Sequence, residues 1–152
     1  MKTIAEFDLL ISNEVIGLYL EGERDFLKWR EGNYSQACCL SEYRKEFHPL
    51  DDEAFGATVT IEMGETARLK PHCVCAIQVP FRVPSNQMVT VFSVQEECEI
   101  GEIPAGDYDL VYQVALDEEV SYHLQLVSPS PTSPKFLLHD ADLVPGFSGK
   151  FI

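Results

Sequence analysis

An all-β fold, an antiparallel β-sandwich or open barrel with at most one short peripheral helix, is what this sequence predicts, and three observations predict it. Apolar and polar residues alternate in a series of short runs, the pattern of strands with one wetter face. Clusters of turn-forming residues separate those runs, at Pro84-Ser-Asn86, Ile103-Pro-Ala-Gly106, Ser128-Pro-Ser-Pro-Thr-Ser-Pro134 and Val144-Pro-Gly146. Helical periodicity is confined to Glu23–Arg30, where Phe26, Leu27 and Arg30 share a face; at about two turns, such a helix is peripheral to any core.

In chain order, the first strands are expected at Ile4–Ile11 and Glu14–Leu20. In the next, Ala57, Val59, Ile61 and Met63 alternate with Thr58, Thr60 and Glu62. Cys73–Val79 follows, and Pro80 marks an edge strand or a bend, because proline cannot donate to a ladder. After Met88–Val94 comes a run in which Tyr108, Leu110, Tyr112 and Val114 alternate with Asp107, Asp109, Val111 and Gln113, so that both tyrosines fall in the core. Val120, Tyr122, Leu124 and Leu126 repeat the pattern, and the short connector Leu116-Asp-Glu-Glu119 makes the two runs a hairpin. Lys135–His139 is the last strand, reached through a Ser/Pro-rich crossing too short to link domains. Residues 1–152 therefore form one domain, with 146–152 a tail that is either mobile or docks its two phenylalanines. The lone Trp29 reads as a partly buried anchor in preference to a ligand-stacking platform.

Charge carries most of the functional information. Twenty-five acidic residues against eleven basic ones leave a formal charge of −14. Between Arg82 and Lys135 there is no lysine or arginine, yet nine carboxylates occur: Glu96, Glu97, Glu99, Glu102, Asp107, Asp109, Asp117, Glu118 and Glu119. The apolar content of the same stretch excludes a disordered acidic tail. A folded surface of this sign repels nucleic acid and anionic lipid and suits a basic protein partner. The basic residues are also dispersed or locally matched by acids, as in Glu23–Arg30 and Glu42-Tyr-Arg-Lys-Glu46, which argues against direct nucleic-acid binding. Acids at the N-terminus, where a secretory signal needs an apolar core, and the lack of any apolar run approaching 20 residues predict a cytoplasmic protein without membrane insertion.

Catalytic and metal motifs are weak by comparison. The five cysteines, Cys38, Cys39, Cys73, Cys75 and Cys98, read as reduced thiols, with Cys73 and Cys75 on one strand face as small buried hydrophobes. His72-Cys-Val-Cys75 lacks both zinc-hook spacing and a second ligand pair. Neither a Gly-x-Ser-x-Gly elbow nor a phosphate-cradling glycine loop occurs, and no cofactor is expected. The alternative to a binding module is a small metal- or ligand-binding protein or enzyme using His139, Asp140 and Asp142, although on a strand His139 faces away from both aspartates. A third reading is an oligomerising module joined through strands apolar on both faces, such as the Phe92-bearing 88–94.

Two motifs add a resemblance. Ile77-Gln-Val-Pro-Phe-Arg-Val-Pro84, followed about twenty residues later by Ile103-Pro-Ala-Gly-Asp-Tyr-Asp-Leu-Val111, resembles the competence protein J family of bacterial nuclease inhibitors that act in DNA uptake. The likeness extends more weakly to a tryptophan near Trp29 and to Gly56–Ile61, covering with gaps residues 14–127. It implies inhibition of a DNase by protein–protein contact, without catalysis. It supplies no interface residues, so electrostatics alone selects the partner-binding candidates: Glu96, Glu97, Glu99, Glu102, Asp117, Glu118 and Glu119.

Overall fold

Among residues 1–11, 15–20, 26–31, 33, 38–49, 56–128 and 134–139, which the computed structural model describes, eleven strands build two facing sheets. They are β1 (Lys2–Leu10), β2 (Ile16–Leu20), β3 (Cys38–Leu40), β4 (Arg44–Phe47), β5 (Gly56–Gly64), β6 (Cys73–Val83), β7 (Gln87–Ser93), β8 (Glu97–Ile103), β9 (Gly106–Leu116), β10 (Val120–Val127) and β11 (Lys135–His139). One sheet runs β1-β5-β10-β9-β6-β11 and the other β3-β4-β2-β7-β8. All neighbours are antiparallel except β5 and β10. This is the expected all-β sandwich.

The period-two reading finds its physical basis in the core. Ile16, Leu18 and Leu20 of β2 and Val89 and Val91 of β7 face Val59 and Ile61 of β5, Tyr122 and Leu124 of β10 and Leu110 and Tyr112 of β9. Tyr112 stacks on Phe47 at 4.4 Å between ring centroids and 9° between planes, joining the two sheets. The predicted hairpin is present, Val120 pairing with Leu116. Pro80 does not mark an edge strand: β6 runs between β9 and β11, and Pro80 pairs with Asp109 just beyond Gln78, the last β6 residue in the described pairing with β11. The turn motif before β9 is structural: the Tyr108 hydroxyl donates to the Pro104 carbonyl at 2.7 Å, and the Ala105 N–H donates to Asn86 Oδ1 at 2.7 Å.

Four further expectations are corrected. Strands β3, β4 and β8 were not anticipated, because β4 is Arg-Lys-Glu-Phe and β8 carries three glutamates, so neither shows an apolar stripe. The described part of the helical candidate, Phe26–Arg30, has no regular secondary structure. A bulge between Cys73 and Cys75 breaks the alternation of β6, so Cys75 joins the core while Cys73 stays half-buried. Finally, the polar face of β9 is not wet. Asp109, Val111 and Gln113 are all buried, and residues 67–70 cross the outer face of the six-stranded sheet over Gln113 and Gln125. There Gln113 and Gln125 exchange hydrogen bonds with the backbone of Arg68 and Lys70, and Lys70 reaches Glu62 at 2.7 Å. Glu14, the Ser/Pro crossing at 129–133, the turn at Val144–Gly146 and the tail at 146–152 lie outside the described residues.

Candidate protein-binding face

Strand β8 is an edge of the five-stranded sheet, and its glutamates form a row. Glu97 and Glu99 are exposed and about 7 Å apart, as strand geometry requires for positions i and i+2. Simple alternation would then turn Glu102 inward. It does not, because Val89 pairs with Gly101 and Thr90 with Glu99, leaving Ile100 as the extra residue of a bulge. Gly101 has φ +107°, a conformation that side chains resist, and this kink lets Ile100 and Ile103 both enter the core while Glu102 stays outside with Glu97 and Glu99.

Glu96 sits in the β7–β8 turn and is held by the other sheet: its Oε1 accepts the Leu10 N–H at 2.7 Å. Ser93 Oγ donates to the Leu10 carbonyl at 2.5 Å, clamping the turn onto the end of β1. Asp117, Glu118 and Glu119 are exposed at the tip of the β9–β10 hairpin. The pairings of Leu10 with Gly56 and of Thr58 with Ser121 put Leu10 level with that tip and two strands away, roughly 10 Å. The hairpin tip and Glu96 thus share one end of the sandwich, whereas Glu102 is roughly 20 Å farther along the β8 edge. The nine-carboxylate stretch is not one uniform surface. Asp109 is only 2% exposed, Asp107 lies 3.7 Å from Arg82, and Asp117 lies 3.8 Å from His72.

Beside the glutamate row lies a constellation the sequence did not suggest. Arg44 is buried on the outer face of the same sheet, its Nε 2.6 Å from Glu46 Oε2. Its guanidinium lies 3.9 Å from the Phe92 ring centroid, 4.7 Å from that of Phe26 and 5.1 Å from that of Tyr19. Glu46 also accepts the Leu27 N–H and the Trp29 Nε1–H, both at 2.8 Å, so one carboxylate fastens the 26–30 segment over the arginine. Trp29 is accordingly a half-buried anchor against Val15, Tyr19 and Phe92. Between this cluster and the β7–β8 turn is a cavity of about 200 Å³, lined by Tyr19, Phe26, Phe92, Val94, Glu96 and Glu97 among others. Only the local matching of Arg44 with Glu46 was readable beforehand; the aromatic partners come from segments far apart in the chain.

Chemistry is poorly served elsewhere. Burial pushes the Cys38 and Cys75 thiols up to about 12, away from nucleophilic use, with the neighbouring thiols adding to the effect. Among the described residues no group of three or more His, Cys, Asp or Glu side chains is placed to hold a metal ion. The alternative grouping of His139 with Asp140 and Asp142 falls outside what is described: both aspartates are beyond those residues, and of His139 only the backbone is placed.

The model of the family Competence protein J (ComJ) matches residues 8–127. A search of curated proteins finds no match. Among solved structures, the chain is similar to the crystal structure of ComJ, inhibitor of the DNA-degrading activity of NucA, from Bacillus subtilis. The TM-score is 0.71 at 16% identity, over 84% of this chain and 97% of that one, a likeness of fold. The family match takes in every strand from β2 to β10, and with them the Val-Pro-Phe run of β6 and the Pro-Ala-Gly-Asp-Tyr turn that locks β9; this chain belongs to the Competence protein J family.

Proposed function

We propose that this protein is a non-catalytic inhibitor of a DNA-degrading nuclease, which it restrains by protein–protein contact. Family membership carries the reading, because the solved ComJ to which this chain is similar is an inhibitor of NucA's DNA-degrading activity. The contact residues are Glu97, Glu99 and Glu102 on the β8 edge and Glu96 in the turn before it, with Asp117, Glu118 and Glu119 on the hairpin tip at one end of the same molecule. A nuclease presents a positive groove to phosphate, and carboxylates fixed on a rigid strand complement it without needing to be ordered on binding. The formal charge of −14 accelerates the encounter.

The test is a DNA-degradation assay with a purified NucA-type nuclease and increasing amounts of this protein. Inhibition saturating near one-to-one at low salt, and weakening as salt rises, is the expected result. Undiminished degradation at about tenfold molar excess would sink the reading.

A further inference from the structure

We propose that the cavity beside the β7–β8 turn receives one long basic side chain, an arginine or lysine, from a loop of the nuclease; this deepens the inhibitor reading and rests on it. The site has the size for one side chain. At about 200 Å³ it lies below the roughly 300–1,000 Å³ of pockets that enclose small-molecule ligands.

Its walls match a basic side chain part by part. Phe26 and Val94, which line it, are 52% and 46% exposed. Two of the six exposed large apolar side chains among the described residues therefore meet at this one place. Such a wall suits the aliphatic stem of lysine or arginine, which packs on apolar surface while its head stays polar. At the end of that wall stand Glu96 and Glu97. Each is anchored through one oxygen, Glu96 by the Leu10 N–H and Glu97 Oε2 by the Tyr19 hydroxyl, both at 2.7 Å. Each keeps a second carboxylate oxygen with no hydrogen bond among the described residues. Two pre-positioned carboxylates are a ready acceptor pair for a cationic head.

Arg44 also lines the cavity, and it does not reverse the sign. It is 1% exposed, covered by the face of Phe92 and bonded to Glu46, so Glu46, Glu96 and Glu97 outnumber it locally. Its further role is to stiffen the rings that form the floor. An apolar anchor pocket bounded by fixed polar groups is the usual setting of an interface hot spot.

The experiment measures the inhibition constant against a purified NucA-type nuclease for the wild type and three variants, each checked for an unchanged thermal midpoint. Val94→Arg fills the mouth of the cavity with the chain's own cation and is expected to weaken inhibition about 100-fold. Glu97→Gln keeps the acceptor for Tyr19 but removes the charge, and is expected to cost about tenfold and to lessen the salt dependence. Leu69→Arg adds the same charge to an exposed leucine on the strap over the opposite face, and is expected to stay within about threefold of wild type. If wild type inhibits and Val94→Arg does so equally well, the cavity is not the contact and this proposal falls alone. Equal losses in Val94→Arg and Leu69→Arg would overturn it in favour of overall charge. Should Val94→Arg fail to fold, an unaltered Glu97→Gln overturns it independently. A wild type that never inhibits removes the inhibitor reading and the proposal together.

Discussion

On the outer face of the six-stranded sheet, the chain closes over its own polar groups. Residues 67–70 lie across β5, β10 and β9, and their backbone and the Lys70 ammonium bond to Glu62, Gln113 and Gln125. On the outer face of the five-stranded sheet, Arg44 and Glu46 are covered in a similar way by 26–30, but among the described residues this cover leaves one edge open. Phe26, Val94, Glu96 and Glu97 border an opening at its edge. Both faces bury charge by the same device, a short irregular segment fastened through a buried side chain. The first face satisfies its polar groups internally, whereas the second carries fixed carboxylates and an apolar wall beside a cavity.

The largest effect is expected from breaking the fastening on the open face. Glu46→Ala takes the Glu46 carboxylate away from the buried Arg44 guanidinium and from the Leu27 and Trp29 N–H groups that donate to it. Removing one partner of a pair buried to this degree costs about 3–5 kcal/mol, read as a fall in the denaturation midpoint. Replacing both, Arg44→Met with Glu46→Leu, should recover much of that stability, since a packed apolar pair needs no desolvation. A single Glu46→Ala variant as stable as wild type would show that the 26–30 cover does not depend on this carboxylate.

A smaller loss is expected where β2 passes beneath Phe92. A Cβ on Gly17 would stand 2.2 Å from the Lys45 carbonyl oxygen and 2.8 Å from Phe92 Cζ. The first neighbour is backbone, so β4 itself must move, and Gly17→Ala should destabilise by about 1–3 kcal/mol. Because Phe92 also floors the cavity, the same variant should weaken nuclease inhibition more than a stability loss alone explains. Equal stability of Gly17→Ala and wild type would mean that the sheet accommodates the methyl without disturbing the ring.

How far the sequence reveals this architecture follows from the range of the interactions. Strands with alternating apolar residues were legible with their approximate bounds, as were the β9–β10 hairpin and the core tyrosines, because side-chain direction on a strand is a local property. The glutamate row was legible as residues but not as a row: only the bulge at Ile100 and Gly101 returns Glu102 to the face of Glu97. Arg44-Lys-Glu-Phe47 reads as surface in one dimension, since nothing local announces that three aromatic rings from elsewhere will bury it. The closed face escaped notice for the same reason, its glutamines being satisfied by a segment more than forty residues away in sequence.

The smallest effect should come from titrating the closed face, where polar satisfaction is internal. Glu62 is pushed upward by burial, but the hydrogen bonds from Lys70 and Gln125 and the Lys70 charge outweigh this and hold it below its ordinary 4.5. His123, within 3.0 Å of Ser121 Oγ, is held below its ordinary 6.5 by burial first and by the Lys70 charge second, against the opposing pull of Glu62 and Glu6. For both groups the unfolded chain binds protons more readily than the folded one, so stability falls as pH falls. The histidine contribution begins to be lost below about 6.5 and the Glu62 contribution below about 4.5, each continuing through the lower folded value. Urea midpoints measured from pH 8 down to pH 3 should therefore decline in two stages, and Glu62→Gln should flatten the lower stage while deepening the upper one, since His123 then loses the opposing pull of Glu62. Arg44→Met with Glu46→Leu, on the other face, should leave both stages in place. A Glu62→Gln profile that parallels wild type throughout would show that the strap is held by Gln113 and Gln125 alone, and that the ion pair beneath it adds nothing to the closure.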